Sequence, residues 1–78
     1  MREFTITVAH LVDEETPVAE VWYGDVQFAQ VSCSAGVTRI EIYPHPQGQP
    51  WRLPFNETQE ALGMARERLA NITGAVLA

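Results

Sequence analysis

The sequence predicts an α+β domain, a four-stranded antiparallel meander sheet packed by one C-terminal helix, in the order β-β-β-β-α. Three observations predict it. Four runs rich in β-branched and aromatic residues are separated by turn residues. A Gly24-Asp25 pair divides two of those runs with the chemistry of a two-residue hairpin loop. After a capping signal at Asn56, apolar residues recur at three- and four-residue steps.

Taken in order, the first run, residues 3–12 with FTITVAHLV after Glu3, puts Phe4, Ile6 and Val8 on one face and Thr5, Thr7 and Ala9 on the other, the period of a strand. Asp13 to Pro17 combines three acids with threonine and proline, which is turn chemistry. Val18 to Tyr23 and Val26 to Cys33 form the hairpin about Gly24-Asp25, because glycine in the first central position suits a type II′ turn. A two-residue loop sets Tyr23 opposite Val26, Trp22 opposite Gln27, Val21 opposite Phe28 and Glu20 opposite Ala29. That register gives a core face of Val21, Tyr23, Val26 and Phe28. The other face is mixed, with Val18, Glu20, Trp22, Gln27, Ala29 and Val31.

A break at Ser34-Ala35-Gly36 leads to Val37 to Tyr43, where Ile40 and Ile42 alternate with Arg39 and Glu41. Prolines at 44, 46, 50 and 54 exclude strand and helix interiors, so 44–54 is a loop with a short extended piece from Trp51 to Phe55. Asn56 with Glu57 and Gln59 reads as an N-cap and capping box. The helix then carries a stripe of Ala61, Leu62, Ala65, Leu69 and Ile72, places Arg66 and Arg68 near its negative end, and meets a C-cap at Gly74. Gly63 either permits close approach to a strand or is merely tolerated.

At 78 residues and 8.7 kDa the chain is one domain, residues 1–78. A chain of this size buries about 60% of its extended surface and keeps ~4 to 12 kcal/mol of net stability. A barrel enzyme or a dinucleotide fold does not fit. With 46% hydrophobic residues it is too apolar for disorder, and its apolar runs are too short to span a bilayer. The opening MREFTITV runs straight into a strand pattern without the form of a secretory signal, so a cytoplasmic location is expected.

Charge narrows the function. The formal net charge is −5, and residues 1–31 hold Glu3, Asp13, Glu14, Glu15, Glu20 and Asp25 against Arg2 alone. There is no lysine, hence no phosphate-loop or Schiff-base lysine, and five scattered arginines make a poor phosphate clamp. Direct nucleic-acid binding is not expected. His10, Cys33 and His45 lack ligand spacing, so neither a metal nor another cofactor is expected. Ser32, Cys33 and Ser34 have no histidine placed by sequence to activate them, and the chain does not read as an enzyme. The Asn71-Ile72-Thr73 acceptor pattern falls within the helix and reads as chance.

Two surfaces remain. Trp22 shares the mixed face with Glu20. It is core if the helix covers that face, and otherwise an interface anchor ringed by Glu20, Asp25 and the turn Asp13, Glu14, Glu15. The proline loop either packs Tyr43 and Trp51 over a core edge or presents Tyr43, His45, Trp51 and Arg52 as a patch.

The segments VWYGDVQFAQV, RIEIYP and GQPWRLPFNETQEALGMARERL, between Val21 and Leu69, resemble small α+β immunity proteins found beside bacterial polymorphic toxins. The YP, G-x-P-W and helix succession carries the resemblance, which spans two thirds of the chain. It implies a compact protein that blocks a toxin by stoichiometric binding. FTITV and ETQEALGMARERL are also similar to antitoxins with a β-β-β-α, partly ribonuclease-like fold, from which the proline loop departs. The expected function is therefore that of a small acidic inhibitor for a protein partner with a basic surface, contacting it through Asp13, Glu14, Glu15, Glu20, Trp22, Asp25, Trp51 and Arg52. The alternative is a homodimeric module that associates through its open sheet face or an edge strand.

Overall fold

The computed structural model describes residues 3–10 and 16–73. Strands β1 (Phe4–Ala9), β2 (Val18–Tyr23), β3 (Val26–Ser34) and β4 (Val37–Ile42) form one antiparallel sheet in sequential order, followed by helix α1 (Phe55–Thr73). The expected α+β meander is therefore the fold. Of the expected turn from Asp13 to Pro17, Asp13, Glu14 and Glu15 lie outside the described residues, as does the Gly74 cap.

The turns follow from backbone freedom. Gly24 has φ 65°, and Asp25 after it stays at negative φ, as a type II′ turn requires. Between β3 and β4 both central residues are left-handed, Ala35 at 53° and Gly36 at 77°, which is the type I′ pattern. Ala35 holds that conformation at a cost of roughly 1 kcal/mol, because its Cβ crowds the following carbonyl.

The β2–β3 register departs from the sequence expectation beyond the second pair. Tyr23 pairs with Val26 and Trp22 with Gln27, but Val21 then faces Ala29 and Glu20 faces Gln30. Phe28 is the extra residue of a β-bulge. The bulge shifts every later side chain of β3 by one position relative to β2, which moves Ala29 and Val31 from the mixed face to the core. Phe28 stays in the core as well, 5% exposed.

The core lies between the helix and one sheet face. Ala19, Val21, Ala29 and Val31 meet Ala61, Ala65 and Leu69, with Phe4, Ile6, Tyr23, Cys33 and Leu62 packed at the margin. The helix lies over β1, β2 and β3. Small alanines on both surfaces allow this close contact, and Leu69, 1% exposed, is among the largest side chains withdrawn completely from solvent. Ile72, expected on the buried stripe, is 53% exposed in the last turn.

The helix is capped two residues before the expected position. Thr58 donates both its backbone N–H and its hydroxyl to the Pro54 carbonyl. Pro54 thus stands at the cap position, where its missing N–H costs nothing, and Asn56 falls inside the first turn. Residues 43–54 contain no strand, and Phe55, the end of the expected extended piece, is the first residue of the helix.

A Cβ built on Gly63 meets nothing within 4 Å, so this glycine serves no close approach. Gly63→Ala should raise stability by about 0.5–1 kcal/mol through helix propensity. Leu69→Ala should lower it by about 2–4 kcal/mol through a cavity between helix and sheet. Urea unfolding midpoints of the two variants should therefore move in opposite directions.

Candidate functional site

The register decides which side chains share the uncovered face. Thr5 and Thr7 of β1 stand across from Trp22 and Glu20, and Glu20 is paired with Gln30, which is paired in turn with Glu41. Arg39 lies opposite Ser32 on the same face. Since Val21, Ala29 and Val31 point to the helix, all these residues point away from it. Among the described residues no helix or strand packs on this side. Val18 at one end is nevertheless buried, 2% exposed, so the open area centres on Trp22, Gln30 and Tyr43.

Side chains on this face are tied to one another. The Trp22 indole Nε1 donates to Glu20 Oε1 at 3.3 Å, and the Tyr43 hydroxyl donates to Gln30 Oε1 at 3.2 Å. Both aromatic rings are half-buried along the sheet with polar neighbours. Desolvation, then the Glu41 carboxylate and then that of Glu20, push the Tyr43 phenol above its usual 10.0. Two anionic groups therefore flank one aromatic group here.

The other predicted site residues lie elsewhere. Asp25 is exposed at the tip of the β2–β3 turn, and Asp13, Glu14 and Glu15 lie outside the described residues. Trp51 sits on the helix side, edge-on to Phe28 at 5.3 Å and to His45 at 4.7 Å, with its Nε1 donating to the Tyr43 carbonyl at 2.9 Å. It holds the proline loop against the core edge. Arg52 beside it is exposed. Tyr43 and Trp51 are consequently joined through backbone while their rings occupy opposite sides of the sheet, and the aromatic patch at 43–52 does not assemble around Tyr43.

A second feature was missed by sequence reasoning. Glu3, Glu57 and Glu60 rim a hollow of about 360 Å³ whose floor includes Phe4, Tyr23 and Met64. Glu57 and Glu60 are three residues apart on the first turns of α1, and that spacing was the available signal. Among the described acids, Glu20 and Glu41 share the open face, and Glu3 joins two helical glutamates at this hollow.

Among the described residues no group of three His, Cys, Asp or Glu could hold a metal ion, and no helix is long and apolar enough to cross a membrane. His10 is exposed, and Cys33 is half-buried against the core. No family model, curated protein or solved structure matches the chain.

The raised Tyr43 pKa has a definite sign for stability. Between the unfolded value near 10 and the higher folded value the native state holds more protons, so stability falls as pH rises through that interval. Urea midpoints should drop above pH ~10, and Tyr43→Phe should remove that component. Ultraviolet titration should show the Tyr43 ionisation moving back down in Glu41→Gln.

Proposed function

We propose that this protein works by occupancy rather than turnover, as a small stoichiometric inhibitor of the immunity type that covers a basic surface on a macromolecular partner such as a toxin. The uncovered sheet face is the contact. The observation that carries this reading is the placement of Trp22 and Tyr43 beside Glu20 and Glu41 on a face that no described element covers.

Tryptophan and tyrosine are enriched among the few residues that carry most of the energy at protein interfaces, where surrounding groups exclude water. The carboxylates choose the sign of the partner and speed encounter, an effect that salt weakens. A strand-built face suits the task because its side chains are already held by the ladder, so little conformational freedom is lost on binding.

The test is affinity capture from the native host with wild-type protein, Trp22→Ala, Glu20→Lys and, as a control on the other face, Glu57→Lys/Glu60→Lys. Trp22→Ala should weaken capture of the partner by about 30-fold, the equivalent of ~2 kcal/mol. Glu20→Lys should weaken it most at low salt, and the control should retain it. Equal capture by every variant, each shown to be folded by circular dichroism, would overturn the reading.

A further inference from the structure

The two edges of the sheet are treated differently. On β1, Glu3 accepts from Gly24, so alternate residues Phe4, Ile6 and Val8 turn their backbone groups outward. Arg68 of the helix donates to the Ile6 carbonyl at 2.9 Å and so occupies that edge. On β4, Tyr43 donates to Phe28, which fixes Val37, Arg39 and Glu41 as the residues bonded to β3. Thr38, Ile40 and Ile42 therefore present N–H and C=O groups outward, and these meet no partner among the described residues. Ile40 and Ile42 also lie beyond the helix on its side of the sheet, 45% and 59% exposed.

We propose that β4 pairs with β4 of a second copy, antiparallel, about a two-fold axis at Ile40. Three constraints select this register. Opposed residues must share a face, so the axis passes through a residue and not between two. Outward groups must meet outward groups, which axes at Arg39, Ile40 and Glu41 all allow; the axis at Ile40 sets Ile40 against Ile40 and Thr38 against Ile42 as hydrogen-bonded pairs. Charge chooses among the remaining positions. An axis at Arg39 opposes two arginines and one at Glu41 opposes two glutamates, whereas the axis at Ile40 puts Arg39 opposite Glu41 of the second copy, twice.

The joined molecule is one eight-stranded sheet with both helices on the same side. Ile40 and Ile42 of the two copies form an apolar strip between the helices, and the Arg39–Glu41 pairs line the opposite face. Because each helix lies over β1, β2 and β3, neither obstructs the joint. Pro44, which has no N–H to offer, ends the ladder opposite Gly36. The interface is isologous and leaves Trp22 and Glu20 uncovered, and it shares only Glu41 with the contact face proposed above.

Sedimentation equilibrium of the full chain tests this. Wild type should show a monomer–dimer equilibrium. Ile40→Pro removes an outward N–H that β3 does not use, a site where an edge strand tolerates proline, and should give a folded monomer. Arg39→Glu should raise the dimer dissociation constant about 10- to 30-fold, and Arg39→Glu/Glu41→Arg should restore it to within about threefold. Circular dichroism confirms that each variant is folded. A wild type monomeric up to ~1 mM, a dimer indifferent to Ile40→Pro, or a double swap without restoration each overturns the proposal.

Discussion

The β-bulge at Phe28 is the constraint on which the rest of this structure depends. One extra residue in β3 lets Phe28, Ala29 and Val31 all serve the core, while Gln27 and Gln30 remain on the other side. A regular ladder would leave Ala29 and Val31 on the face of Trp22 and Glu20. The helix would then find only the first half of β3 apolar. A domain this small has few residues to spend on burial, and the bulge concentrates them under one helix.

From that concentration the two faces acquire different chemistry. The inner one is built from alanine, valine and leucine in close contact, with the aromatic residues Phe4, Tyr23, Phe28 and Trp51 closing one end through tilted and edge-on contacts. The outer one keeps its aromatic residues singly bonded to polar neighbours, Trp22 to Glu20 and Tyr43 to Gln30. Those bonds satisfy the indole and phenol on a face that no described helix or strand covers, which leaves flat, oriented surface beside two carboxylates.

Much of the fold was legible because its signals are local. Alternation in FTITV, glycine at 24 and 36, and the Ala61, Ala65, Leu69 spacing each determine their element without reference to anything distant. The bulge leaves one local trace, Gln27 and Gln30 three residues apart with Ala29 and Val31 out of phase with Val26 and Phe28. Which residues turn inward is decided only by competition for the single helix-covered face. The helix start was misplaced for a related reason: Asn56 has the right chemistry, but the Pro54 carbonyl is already in place to receive Thr58. Of the candidate site, the sequence placed Glu20 with Trp22, since those lie two apart on one strand. It could not bring Glu41 and Tyr43 to them, because that requires the β3–β4 register, nor gather Glu3 with Glu57 and Glu60 across the sheet.

The bond from Arg68 to the Ile6 carbonyl joins residues sixty-two apart in the chain. During synthesis from the amino end, the whole meander leaves the ribosome before the residues that cover it. Val21, Ala29 and Val31 are thus outside before Ala61, Ala65 and Leu69, the residues that cover them, have followed. The apolar half of the strands is without its cover for that interval, and the arrival of the helix ends it.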